Sequence, residues 1–142
     1  MTEEDFKMDP LDEIFVESNE VASRKIVAEI LKPPLTIDPK GNLDFLASYD
    51  KLTNQKKALV YLVAKKAMKM KGSIDEEFTL NAETSKSAMI SENDANNAFS
   101  NTYKNLVENG KGKGYAIPDY KLKKIKEILF QDGWTGNLGE VK

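Results

Sequence analysis

Cysteine and histidine are both absent from this chain of 142 residues. Without cysteine there are no disulfides, no zinc–thiolate sites and no thiol nucleophile. Without histidine the commonest general base and the commonest transition-metal ligand are gone. A Ser-His-Asp triad is impossible whatever serines are present. Long hydrophobic runs are missing too, since no stretch approaches the roughly 20 apolar residues that a membrane span requires. The N-terminal stretch MTEEDFKMDPLDEIF is acidic and has no apolar signal core, so a cytoplasmic location is expected.

What remains is ordinary in bulk and uneven in detail. Apolar residues at 40% and charged residues at 31% suit a soluble globular protein, and the length suits one domain with one core. The net charge of −2 hides opposite ends. Residues 1–20 carry eight acids against Lys7, a balance of −7. Residues 101–130 carry seven lysines against Glu108, Asp119 and Glu127, a balance of +4. The C-terminal half can therefore face a polyanion that the N-terminal end repels.

Caps, stripes and stops divide the chain. Ser18 or Asn19 can cap a helix running to about Lys32, with Ile26, Val27, Ile30 and Leu31 as its apolar stripe, and Pro33-Pro34 ends it. LTIDPKGNLDF then reads as a hairpin, Leu35 and Ile37 on one arm and Leu43 and Phe45 on the other, with turn chemistry in Asp-Pro-Lys-Gly. Asp38, Asn42 and Asp44 do not make a calcium loop, because the third position is Lys40 and the sixth is Leu43. Thr53 caps the longest helix, where Leu59, Leu62, Val63, Ala67 and Met70 recur at helical spacing and Tyr61 and Met68 widen the band. Gly72 ends that helix.

Beyond the link SIDEE, Phe78 to Leu80 suits a short strand and NAETSKSAMI a short helix. Ser91 caps a further helix expected to run to Gly110, with Ala95, Ala98, Phe99, Thr102 and Leu106 near one face. Asn93, Asn97, Ser100, Asn101 and Lys104 fall opposite. After the tip NGKGKG, YAI suits a short strand and Asp119 opens a last helix with the stripe Leu122, Ile125, Ile128 and Leu129. The tip is no phosphate-binding loop, since such a loop leaves a strand, enters a helix and needs Ser or Thr after its lysine. The Rossmann spacing fails in the same way. No catalytic residue is expected: no histidine can activate Ser85, Ser87, Ser91 or Ser100, and adjacent Glu76 and Glu77 read as link residues.

The long helix, short strand, short helix ending in AMI, turn at Ser91, second helix and glycine-punctuated hairpin of residues 53–130 resemble the winged helix-turn-helix superfamily, in particular archaeal transcription-regulator-like proteins. The fold class expected is mainly α with a small antiparallel β component: a winged helix preceded by a helix and a β-hairpin. Residues 1–17 are expected to be a disordered acidic segment, 18–52 the helix plus hairpin, 53–130 the winged-helix-like domain and 131–142 a flexible tail. The resemblance implies a non-enzymatic partner of double-stranded DNA without cofactor, metal, nucleotide or membrane. Expected base contacts are Asn93, Asn97, Ser100 and Asn101, because asparagine can pair with adenine N6 and N7. Expected phosphate contacts are Lys104, Lys111 and Lys113. The alternative is a protein-interaction module on the same fold, and the exposed edges of the hairpin at 35–45 suggest a homodimer contact.

Overall fold

The computed structural model of the chain describes residues 20–130. The acidic 1–17 segment, the Ser18 or Asn19 cap and the 131–142 tail lie outside the described residues. The first described helix, α1 (Glu20–Leu31), buries Val27, Ile30 and Leu31 and half-buries Ile26, as the stripe requires. The two prolines then turn the chain into β1 (Leu35–Ile37) and β2 (Leu43–Phe45). Their antiparallel register sets Leu35 against Phe45 and Ile37 against Leu43. Asp38 closes the turn: its Oδ1 accepts from the Lys40 and Asn42 amides, both at 2.9 Å, while Gly41 supplies the positive φ of 90° that a side chain resists.

A 3-10 turn at Ala47–Lys51 puts Tyr49 wholly inside. Its ring stacks on Phe45 at 4.0 Å between centroids, and its hydroxyl donates to the Ala88 carbonyl at 2.6 Å. Burial pushes the phenol far above its ordinary pKa, so it stays a donor. The central helix α2 (Asn54–Met70) starts at Thr53, whose hydroxyl accepts from the Lys56 amide. Every residue from Ala58 to Ala64 is buried, a wider band than the expected stripe. The helix is enclosed by α1 and by the segments that follow it, so it must be apolar nearly all round.

Next come α3 (Asn81–Ala88) and α4 (Glu92–Asn97), with Ser91 capping α4 through the Asp94 amide at 3.0 Å. The strand expected at 78–80 reduces to Thr79, which exchanges amide–carbonyl bonds of 2.9 and 2.8 Å with Tyr115. Leu80 instead caps α3 and is exposed. The helix expected to run to Gly110 stops earlier. At Ala98–Thr102 it widens into a π turn, closed by the Tyr103 amide on the Ala98 carbonyl at 2.7 Å. The extra residue in that turn shifts the helical phase, so Thr102 is exposed, whereas Ala95, Ala98, Phe99 and Leu106 are buried as expected.

Strands β3 (Glu108–Asn109) and β4 (Tyr115–Ala116) pair antiparallel. After a 3-10 turn at Asp119–Lys121, α5 (Leu122–Phe130) buries Leu122, Ile125 and Leu129. It returns to α1, where Lys126 pairs with Glu29 at 2.7 Å. The described residues are thus mainly helical with a small antiparallel component.

The β4 backbone can approach Thr79 because residue 114 is glycine. Its φ is +99°, and a Cβ there would lie 1.9 Å from the Thr79 carbonyl oxygen. At Gly112, φ is +96° but nothing stands within 4 Å. Urea titration should therefore separate two neighbouring substitutions. Gly112→Ala is expected to cost about 1 kcal/mol of conformational strain. Gly114→Ala must also displace backbone, and is expected to cost at least about 3 kcal/mol. Equal losses would mean that Thr79 and Tyr115 do not meet.

Candidate nucleic-acid interface

The expected contact residues lie on α4, on the π turn and segment that follow it, and on the β3–β4 loop. Asn93, Ser100, Asn101 and Lys104 are exposed, and Asn97 is half-buried. The amides pair along the helix. Asn101 Nδ2 donates to Asn97 Oδ1 at 3.1 Å, leaving Asn97 Nδ2 and Asn101 Oδ1 for other partners. Ser100 Oγ donates to Asn96 Oδ1 at 3.1 Å, and Asn81 Nδ2 reaches the same oxygen at 3.3 Å. Asn96, absent from the expected contacts, therefore ties α4 to the start of α3. Exposed pairs four residues apart contribute only tenths of a kcal/mol, about 0.2–0.5, so a stronger partner can displace them.

The loop after β3 is held by its own backbone. The Lys111 amide donates to Asn109 Oδ1 at 2.9 Å, and the Gly110 amide to the Gly114 carbonyl at 2.8 Å. Lys111 itself has φ of 54°. Lys111 and Lys113 are both exposed, yet they differ. Lys113 Nζ lies 3.2 Å from Glu76 Oε1, whereas among the described residues Lys111 makes no ion pair. Hydrogen bonding from the Phe78 amide, and then from Lys113, holds the Glu76 carboxyl below its ordinary range. Glu76 is thus more than a link residue: it meets the tip through a solvent-exposed pair, which water screens heavily.

Two inner contacts set the platform. Phe99 of α4 packs against Tyr115 of β4, ring centroids 5.2 Å apart, which fixes the helix against the hairpin. Behind it, Lys66 of α2 is only 5% exposed and reaches Glu77 Oε2 at 3.0 Å and Asp119 Oδ1 at 2.6 Å. Glu77 precedes the interface segment in sequence and Asp119 follows it. The signal was available in the sequence: Lys66 sits three residues after Val63 and four before Met70, within the apolar stripe, where a lysine needs a buried partner. A cleft of about 630 Å³ opens beside this network, with Met70, Phe78 and Pro118 on its wall. Among the described residues no three acids converge to hold a metal, and no helix is long and apolar enough to cross a membrane.

On the opposite side of α2, Glu83 of α3 accepts from Tyr61 at 2.8 Å and from Lys65 at 2.6 Å. Burial works to raise the Glu83 pKa, but these two donors outweigh it and hold the group below 4.5. Comparison with known protein families, characterised proteins and solved structures gives no match to this chain.

Two stability measurements test these anchors. Lys66→Ala leaves Glu77 and Asp119 facing each other without a cation, and is expected to cost about 2–4 kcal/mol in urea. Lys66→Met fills the stem volume, but the same carboxylates still need a neutral setting. Lys66→Met combined with Glu77→Gln is therefore expected to recover part of the loss, since only Asp119, whose side chain is 40% exposed, then keeps a charge without its cation. A double variant as unstable as Lys66→Ala would disprove the clasp. For Glu83, a depressed pKa gives stability that is complete above pH 4.5 and lost as pH falls through the native value. With its side chain 45% exposed, the contribution is expected to be about 0.5–1 kcal/mol, and Glu83→Gln should flatten the stability–pH profile below pH 5 by that amount.

Proposed function

We propose that this protein is a non-enzymatic, DNA-binding winged-helix protein acting in transcription. One arrangement carries the reading. Thr79, β4 and β3 lie side by side, the loop between the two strands carries Lys111 and Lys113, and α4 with its exposed amides immediately precedes them. The order α2, single bridging residue, α3, α4, hairpin is the order of a winged helix-turn-helix. On this reading α4 lies in the major groove with Asn93, Asn97, Ser100 and Asn101 towards base edges. Lys104, Lys111 and Lys113 take phosphates, which position the protein without specifying sequence. The side chain of Lys113 leaves Glu76 for a phosphate, an exchange made easy by the weakness of an exposed pair.

A protein-interaction role on the same fold is the second reading. It is favoured by the carboxylates of Glu92 and Asp94 in the first turn of α4, which repel phosphates. Electrophoretic binding to genomic DNA fragments at low salt, with the solution mass measured alongside to detect a homodimer, separates the two. Absence of binding to every fragment moves the function to the protein partner, whose complex should survive salt because an apolar contact is little screened.

The DNA reading also predicts two separable effects. Replacing Lys111 and Lys113 with alanine should weaken binding to all sequences alike and reduce the slope of log affinity against log salt by about one to two units, close to one counterion per phosphate. Replacing Asn97 and Asn101 should alter which sequences are preferred and leave the slope nearly intact. Lys123 and Lys124, exposed on α5, are the control. If their double alanine variant lowers the slope as much, the loop lysines act only as diffuse charge.

A further inference from the structure

Met89 breaks two rules at once. It ends α3 with φ of 63° and ψ of 49°, a left-handed conformation that side-chain-bearing residues avoid and glycine usually fills at a helix end. It is also 63% exposed, although methionine is ordinarily a filler of cores. The helix end does not need its side chain. The cap is made by backbone, with the Met89 and Ile90 amides both donating to the Ser85 carbonyl and Ser85 Oγ returning to the Ile90 carbonyl at 2.6 Å. Glycine would make every one of those bonds with less strain. A residue that costs stability, takes no side-chain part in the cap and leaves most of its side chain in water is a candidate for an external contact.

Position narrows the partner. Met89 stands in the turn between α3 and α4, two residues before the Ser91 cap of α4. Its exposed neighbours along the chain, Lys86, Ser91, Glu92 and Asn93, are all polar or charged, unlike the contiguous apolar area that a protein interface needs at its centre. A single flexible thioether among polar groups matches a single apolar group on an otherwise polar surface. Major-groove DNA offers one, the 5-methyl of thymine. Resting on the DNA-binding reading above, we infer that Met89 is a specificity residue that makes an apolar contact with a thymine methyl at the edge of the site read by α4.

The test compares the wild type with Met89→Gly and Met89→Leu on the tightest-binding duplex recovered from genomic fragments, prepared with thymine and again with uracil in its place. Met89→Gly relieves the left-handed strain and should raise Tm by about 2–5 °C, so loss of binding cannot be ascribed to unfolding. Its affinity for the thymine duplex should fall roughly three- to tenfold with an unchanged salt slope, as expected for a lost apolar contact. Met89→Leu should bind within about twofold of wild type, since an apolar side chain of similar volume is retained. Uracil should weaken the wild type by a similar factor and leave Met89→Gly unaffected, because the methyl then has no partner to lose. Unchanged affinity in Met89→Gly, or equal weakening of both proteins by uracil, overturns the assignment. If the wild type binds no duplex at low salt, the DNA-binding reading itself fails and the methyl contact falls with it, a result distinct from either.

Discussion

A lysine ammonium taken out of water must be met by carboxylates, and the placement of Lys66 makes that demand the hinge of the structure. Lys66 lies within the enclosed part of α2, so its charge costs several kcal/mol, on the order of those estimated for any buried ion, unless it is paired well. Its partners are not neighbours of each other along the chain. Glu77 enters the segment that carries α3, α4 and the hairpin, and Asp119 leaves it. One cation therefore gathers both ends of that segment onto the central helix. The placement of the β3–β4 hairpin against the Ala98–Thr102 turn rests on that closure together with the Phe99–Tyr115 contact.

The N-terminal helix and hairpin are bound to the same platform by different chemistry. Tyr49 crosses from the 3-10 turn to the last carbonyl of α3, with Phe45 stacked beneath it and Lys57 Nζ 5.2 Å from the ring centroid. The bond reaches Ala88, immediately before Met89, so the hairpin buttresses the turn from which α4 starts. A buried hydroxyl without its acceptor is costly, about 1–3 kcal/mol. The orientation of that turn is accordingly fixed from behind, while its Met89 side chain is left outside.

Local rules made much of this legible in the sequence. Thr53 and Ser91 cap where oxygen-bearing residues precede apolar periodicity, and the hairpin register follows from alternation around Asp-Pro-Lys-Gly. These features depend on interactions a few residues long. Features that depend on distant partners were less visible. Thr102 read as core because a regular period was extended through a turn that widens to π geometry. Glu77 read as a link because its partner lies eleven residues back, on a helix whose burial only the whole fold decides. Of the candidate interface, the exposure of Asn93 followed from the helical phase and that of Lys111 and Lys113 from the glycine-rich tip, while Ser100, Asn101 and Lys104 are exposed beyond the point where the regular phase ends. The pairing of Lys113 with Glu76 and the hub at Asn96 did not, since both join segments that only tertiary structure brings together.

The contact between α1 and α5 has a bearing on how the chain acquires this structure. Glu29 and Lys126 are separated by 97 residues, and Lys66 and Asp119 by 53. Contacts of such separation carry the loop-closure entropy of everything between them and slow the search for the native state. During synthesis α1 and α2 can associate early, but the side of α1 that meets α5 stays uncovered until residues 122–130 have appeared. Within the described residues, α5 thus completes a core to which α1 contributes from the other end, so that core closes only when both are present.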